Sequence, residues 1–592
     1  MQSDLLSPYF SEAELSDINL CNDEGKNLLH RALENDDIPA GTVRELIKLG
    51  ADINQPTGPD RSGDVHLEAM KELDIEIPPE MTQYSEMMGK SFHTPLHFAC
   101  RSGMNEKLRI LLESGADVSA TSSSNYSCFL DATYGALSLP FDKAKERFEL
   151  LIQYGADMEV ASDYKETPLT TAVRQENWKL AGLLLELGAN PGPLQWNALF
   201  HALAFGDSGE VRAAAQSDSG FLKTCDFRGV SPLFFAASTG DLEKVKVVVE
   251  LGADLHETGR FGQNILFSAI NPNSESLCQW LIEQGVRIDQ KDEFDHRPIH
   301  HAVQIGADRC ISILVEAGAD IFEKDKYDLG LFWAADSLPV AKALLASGLD
   351  GGEMPRELRH QYVNLQKTDT IDCSKKEFLK DRTRHFGKQN PEVMDRPFWK
   401  EMVRTGESGY FASSKFGDSS FEKGEPVWCF SRFGHSFTEL ADGRVFEIGG
   451  EHEDSYDPDF CIYNDVVVHQ GDGRFTIYGY PESVFPPTDF HSATLVGSSI
   501  YLIGCLGYPH QRQPGVTPVY QLDTTSLRIE KIETGGEPPG WISKHRATLI
   551  SADTIQIDGG ALYDPACEAE DSLPTNRYSY QLDLNSRQWT RL

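Results

Sequence analysis

This sequence predicts an α+β multidomain chain, with an α-helical solenoid in the first half and an all-β domain in the second. A phrase reading Gly-Ala-Asp, or a near variant, closes one apolar run after another through the first 350 residues. From about residue 398 the texture changes to short alternating runs punctuated by Gly and Pro, the pattern of antiparallel strands. Length agrees with both: 592 residues exceed what a single hydrophobic core serves, whereas a solenoid grows without enlarging any one core.

The elements follow in chain order. Residues 1–22 read as an N-terminal cap. The phrase then begins at Gly50, Gly115, Gly155, Gly188, Gly252, Gly285, Gly318 and Gly348, and its spacing settles at 33 residues from Gly155 to Gly188 and again from Gly252 through Gly285 to Gly318. Upstream of it most units carry a second phrase: Thr94-Pro95-Leu96-His97, Thr167-Pro168-Leu169, Ser231-Pro232-Leu233 and Arg297-Pro298-Ile299-His300. Proline suits the first turn of a helix, where its missing N–H costs nothing. Glycine ends the following helix in a left-handed conformation that other residues resist.

Period and phrases in register make residues 23–350 resemble the ankyrin repeat family, in about nine units, with one degenerate unit near Tyr126 to Asp157 and one hidden near Asn197 to Cys225. The resemblance implies helix pairs stacked into a solenoid that binds other proteins. An extra segment, 56–90, interrupts the first two clear units and is open to reading as a lid, a binding finger or a decayed repeat. Residues 351–397 read as a polar linker with a locally basic stretch from Lys375 to Lys388.

A longer period organises 398–592. An Arg/Lys-x-x-His or Phe-His start precedes an apolar strand, a Gly-Gly or its remnant, and a second strand, in three copies that start around His435, His491 and His545. The pairs Gly449-Gly450 and Gly559-Gly560 frame a middle copy in which Cys505 follows Gly504. This region is similar to kelch repeats, and the resemblance implies a kelch-like, propeller-type β domain. Three copies leave a propeller short of blades, so 398–430, with Trp399 and Trp428, is the expected source of a fourth; otherwise the array stays open and needs cover from the solenoid or another subunit.

Composition limits the function. Lys and Arg total 54 against 91 Asp and Glu, a net charge of −37, most of the excess lying in residues 1–350. Nucleic-acid binding rests on many cationic phosphate contacts and is excluded on this balance, so the expected partner is a basic protein. No run of about 18 apolar residues suits a membrane span, and the first ten residues lack a signal peptide's basic start and apolar stretch. Eleven scattered cysteines without a Cys-x-x-Cys pair fit reduced thiols in the cytoplasm. Oligomeric state is not legible.

Candidate binding residues come from aligning the units. Positions facing the concave groove carry Phe98, His201, Phe235, His301 and Trp333, and hairpin tips carry Tyr164, Arg228, Phe261, Phe294 and Tyr327. Rings and Arg without a packing duty are what interface hot spots are made of. The one cluster resembling a metal site is Glu451, His452 and Glu453, where three ligands would have to converge. Gly89-Lys90-Ser91 resembles the end of a phosphate loop, but Tyr84 stands where the first glycine belongs. The expectation is therefore a non-catalytic recognition protein without cofactor, one version being an acidic neutraliser of a basic partner. The alternative is a metal-dependent enzyme in the kelch-like domain, with the ankyrin part selecting a protein substrate.

Overall fold

The computed structural model describes residues 5–58, 92–218, 220–324, 329–366, 368, 370–419, 425–452, 460–566 and 573–592. The chain divides into two compact units, Met1–Arg260 and Phe261–Leu592. No helix among the described residues is long and apolar enough to cross a membrane.

In the first unit six helix pairs follow one another: Leu28–Glu34 with Ala40–Lys48, Pro95–Arg101 with Asn105–Glu113, Cys128–Ala136 with Phe141–Gln153, Pro168–Arg174 with Trp178–Glu186, Ala198–Phe205 with Ser208–Ser217, and Pro232–Ser238 with Leu242–Glu250. The recurring phrase acts as a helix stop. Gly50 takes φ +101°, the Ala51 N–H returns to the Leu46 carbonyl at 3.0 Å, and Asp52 accepts the Asn54 N–H at 2.9 Å. The aspartate is thus an Asx turn launching the hairpin, repeated at Asp117 and Asp254.

Buried cations join neighbouring repeats. Lys107 donates to the carbonyls of Ala32 and Asn35 (2.9 and 2.7 Å), Arg147 to those of Cys100 and Ser102 (2.7 and 2.6 Å), and Lys244 to Leu203 O (2.8 Å). Each satisfies the orphan carbonyls of a helix end in the preceding repeat.

The second unit opens with three more pairs, Ile265–Ile270 with Glu275–Glu283, Pro298–Gln304 with Asp308–Glu316, and the 3₁₀ turn Leu331–Ala334 with Leu338–Ala346. Residues 351–397, expected to be a polar linker, hold helices Arg356–Tyr362 and Lys375–Asp381 and the short strand Glu392–Val393. The basic stretch is engaged: Arg382 pairs with Asp418 at 3.1 Å and with Glu425 at 2.5 Å.

The expected fourth blade is instead helical. Pro397–Thr405 and Gly409–Phe416 are helices, and Trp399 stacks on Trp428 at 4.5 Å and 7°. Their core takes in Phe378, Phe398, Val445, Val467 and Ile477, so these helices cover one face of the first sheet. Cover of an open array, expected from the solenoid or another subunit, comes for this face from the segment itself.

Three larger antiparallel sheets follow, besides two short two-stranded pairings among the described residues. The first runs Glu392–Val393, Phe475–Gly479, Val466–His469, Val445–Ile448, Ser436–Glu439; the second Ile529–Lys531, Val519–Asp523, Ser499–Ile503, Ser492–Val496; the third Gly535–Gly536, Gln588–Arg591, Tyr580–Asp583, Thr554–Asp558, Arg546–Ser551, with Gly535–Gly536 parallel to its neighbour. Period-two alternation loads both faces of the first two sheets. Phe446, Ile448, Val466, Ile500, Leu502 and Leu522 fill the layer between first and second. Ile503, Val519, Ile555, Ile557, Leu582 and Trp589 fill that between second and third. The other face of the third sheet is polar: Gln581 donates to Gln556 (3.1 Å), Gln556 to Asp558 (3.1 Å), and Ser579 to Asp558.

The double glycines answer to the segment entering the next sheet as much as to a turn. A Cβ at Gly449 would strike the carbonyl of Thr488, and one at Gly504 that of Ile542, whereas Gly559 of the third sheet has open space. The second position hands its N–H to the segment that leads into the next sheet (Gly450 to Thr488 O, 2.8 Å; Cys505 to Ile542 O, 2.9 Å), a bond any residue except proline makes. Cys505 is therefore tolerated.

Candidate functional site

Two of the ten candidate binding residues serve the interior of the first unit. Phe235 is fully buried, ringed by Trp178 (4.7 Å), Phe200 (5.2 Å) and Trp196 (5.4 Å). Trp178 of an earlier repeat and Trp196 of the connection before Ala198–Phe205 cover it. Arg228, expected at a free hairpin tip, is folded back. It donates to Val173 O at 2.9 Å, pairs with Asp226 (2.7 Å) and Glu176 (3.3 Å), and lies against the Trp178 and Phe235 rings. It caps the helix Pro168–Arg174 from another repeat.

The other candidates of this unit stay accessible. Tyr164 is 68% exposed, edge-on to Tyr126 at 6.5 Å. His201 is exposed beside Trp196 (5.3 Å). Phe98 is half-buried between His30 (5.2 Å) and His93 (6.1 Å). Sequence reasoning passed over Tyr126 and Tyr134, whose hydroxyls donate to the same Glu166 oxygen at 2.7 and 3.3 Å. They sit in the degenerate third repeat, where no Pro-Leu-His phrase fixes the register.

In the second unit Phe261 and Phe294 are exposed tip residues with rings 5.5 Å apart, and Phe261 adopts φ +60°, unusual for a bulky side chain. His301 is half-buried, 2.7 Å from the Asn271 side-chain oxygen, and burial lowers its pKa. Trp333 is 72% exposed. Tyr327 lies outside the described residues.

Of the metal candidates, Glu451 and His452 form a two-residue strand paired with Cys461–Ile462. Both side chains are buried, with His452 Nδ1 3.2 Å from Ser431 O. Glu453 lies outside the described residues, as do Asp454, Asp457 and Asp459. Among the described residues no group of three His, Cys, Asp or Glu is placed to hold a metal.

Of the three histidines that open the kelch-like copies, His491 and His545 reach between sheets. His491 Nε2 meets Ser436 Oγ at 3.0 Å and His545 Nε2 meets Ser492 Oγ at 2.9 Å; His435 faces a local carbonyl, that of Arg432 (3.0 Å). Burial pushes His491 down to about 3 and His545 to about 4, so both rings are neutral at physiological pH. Glu447 sits below His435. Burial opposes its ionisation, but the Arg359 guanidinium (3.1 Å), with His435 (3.3 Å) and His469 (2.9 Å), outweighs that and holds the carboxyl well below its usual range. Nearby, Arg432 is buried with Asp465 and lies 3.6 Å from the Tyr463 ring centroid and 4.9 Å from that of Trp428. These groups are tied to one another within the protein and join helices to sheets.

The comparisons agree with both halves of this picture. The family model described as "Ankyrin repeats (3 copies)" matches residues 4–122, 233–325 and 265–353. The chain is similar to Kelch domain-containing protein 3 of Homo sapiens, 30% identical over 136 residues, which are 23% of this chain and 34% of that protein. It is similar to Phosphocholine transferase AnkX of Legionella pneumophila, 28% identical over 200 residues, 28% of this chain and 20% of that protein. Ankyrin repeat and SOCS box protein 16 of Mus musculus is 34% identical over 100 residues, 17% of this chain and 22% of that protein. The chain thus spans about a third or less of the length of these relatives. With repeated helix pairs closed by Gly-Ala-Asp stops and three sheets each opened by a histidine, the chain carries ankyrin repeats in its helical N-terminal region and a kelch-like, strand-rich C-terminal region.

Proposed function

We propose that the chain is a non-catalytic recognition protein that holds a protein partner through exposed aromatic side chains of its ankyrin repeats. Trp333 carries this reading. At 72% it is the most exposed large apolar side chain among the described residues, and rigid rings left in water on a repeat scaffold are the material of interface hot spots. Tyr164 offers the same in the first unit. The charge of −37 favours a basic partner drawn in electrostatically, and an acidic neutraliser in the cytoplasm is the form of this reading that uses the charge most fully. The three kelch-like sheets serve as a second, propeller-type platform. The likeness to the phosphocholine transferase covers 20% of that protein, too small a share to carry an activity across.

Affinity capture with the full chain, followed by capture with Tyr164→Ala/Trp333→Ala, tests the reading. The double variant should melt with the wild type and lose its partner, with the remaining association falling as salt rises. Undiminished capture by the double variant would refute it.

A further inference from the structure

The second unit carries a groove of about 920 Å³. Its lining comes from the second helices of three successive pairs, Glu275–Glu283, Asp308–Glu316 with Ala317 just beyond it, and Leu338–Ala346. His301 and Trp333, by contrast, belong to the first elements of their pairs. Ile282, Ile313 and Ala343 are half-buried along the groove and Ala317 is exposed, so an apolar strip faces water there.

Carboxylates stand at both ends of these helices. Glu275 and Asp308 start theirs and Glu283 and Glu316 end them, and all four line the groove. Each pair is 33 residues apart, at one position of the repeat. Start and end are about 12 Å apart along a helix axis. Two of the carboxylates accept from neutral amides, Asp308 from Asn273 at 2.9 Å and Glu283 from Gln279 at 3.2 Å, which leave the charge in place. Against these four the lining holds two cations, Arg309 and Lys342, and Lys342 Nζ lies over the Tyr362 ring, 5.9 Å from its centroid. The groove is therefore apolar along its strip and net negative in the groups that line it.

These two features select one occupant. A wall of helices spends its backbone N–H and C=O groups on itself and offers no strand edge. Whatever lies in the groove has to satisfy its own backbone, as a helix does and an extended segment does not. The apolar stripe of such a helix meets Ile282, Ile313 and Ala343, and Lys or Arg flanking the stripe meet the carboxylates. A second copy of the chain, at −37, is repelled. We propose that this groove docks a basic amphipathic helix of a protein partner. The surface is separate from the exposed rings and does not depend on them.

The test titrates the full chain calorimetrically with a peptide that repeats Lys-Leu-Ala-Lys-Leu-Ala-Lys in tandem, with a shuffled counterpart that has no apolar stripe, and with one in which Glu replaces every Lys. Saturable binding of the first peptide is expected, weakened about tenfold by Glu283→Gln/Glu316→Gln and by Ile313→Ser, which changes no charge. Glu113→Gln/Glu186→Gln removes the same two charges from the ends of second helices in the other unit and should leave binding unchanged, as should Tyr164→Ala/Trp333→Ala. No saturable binding, equal binding of the shuffled or the acidic peptide, or an equal loss in Glu113→Gln/Glu186→Gln would overturn the proposal. Loss of binding in Tyr164→Ala/Trp333→Ala would put the helix on the ring-bearing surface and overturn it as well. So would a dimer of the chain alone that Ile313→Ser dissolves, which would give the groove to a second copy.

Discussion

The imidazole of His491 meets the hydroxyl of Ser436 at 3.0 Å, tying the start of the second sheet to the edge strand Ser436–Glu439 of the first. The same bond recurs one sheet later between His545 and Ser492. At the head of the series Arg359 contacts His435, and at its tail Arg546 follows His545 where the earlier copies have serine. Ser436→Ala strands a buried ring nitrogen and should cost about 1–3 kcal/mol in denaturant unfolding. The loss should be non-additive with His491→Ala, and a coupling energy near zero in that double-mutant cycle would show that the bond contributes nothing.

Acid should unfold the protein well before its carboxylates are neutralised. His30 and His97 are held at about 4 by burial, as is His545, and His491 at about 3. Below about pH 6.5 the unfolded chain binds protons that these native rings refuse, so stability falls with pH from there until the native values near 3 to 4 are reached. Each ring contributes on the order of 1.4 kcal/mol per pH unit across that window. Melting temperature against pH should therefore slope upward between pH 4 and 6.5, and less steeply in His491→Gln.

Arg432 cannot be exchanged for lysine. It pairs with Asp465 and lies among the Tyr463, Trp428 and Phe430 rings, which needs a planar, forked cation. Arg432→Ala leaves the buried Asp465 without its cation, although Trp428 still donates to it at 2.8 Å, and should cost about 3–5 kcal/mol. Arg432→Lys should recover little of that in equilibrium unfolding.

Phe235 and Trp333 occupy the same repeat position with opposite duties. Phe235→Ala opens a cavity among Trp178, Trp196 and Phe200 and should cost about 3–5 kcal/mol. Trp333→Ala should stay within about 0.5 kcal/mol of the wild type. Thermal melts of the two variants decide it.

His452 should matter for folding and not for a metal. Its ring is buried against the Ser431 carbonyl, so His452→Ala should cost about 1–3 kcal/mol. Elemental analysis of the purified chain should find no stoichiometric iron, zinc or manganese, and a chelator should leave the melting temperature unchanged. One metal per chain, lost in the variant, would revive an enzymatic reading.

What was legible in the sequence was local. Gly50 to Asp52 announce a helix stop because glycine's φ and the aspartate's Asx turn are set by the residues themselves. The exposure of Tyr164 and Trp333 followed from repeat register. The burial of Phe235 did not, because Trp178 and Trp196 reach it from other repeats, Trp196 from an irregular connection. Residues 398–430 read as strand because short aromatic runs beside glycine carry no clear period. The helices Pro397–Thr405 and Gly409–Phe416 answer to a tertiary demand, the apolar face of the first sheet, that no local pattern announces. The histidine bonds are illegible locally for the same reason: the ring's partner is one sheet away.

The polar face of the third sheet gives the array a direction. Its head is sealed by helices and its tail by Gln556, Gln581 and Asp558, with Arg546 ending the succession of serines. Loss of the tail sheet uncovers a single apolar layer, whereas loss of the head would strand everything after it. Fraying should accordingly run from the C-terminus inward, with amide exchange fastest in Arg546–Ser551. A duplicated sheet would be accommodated between two existing ones, where both faces expect a neighbour, and refused beyond the tail.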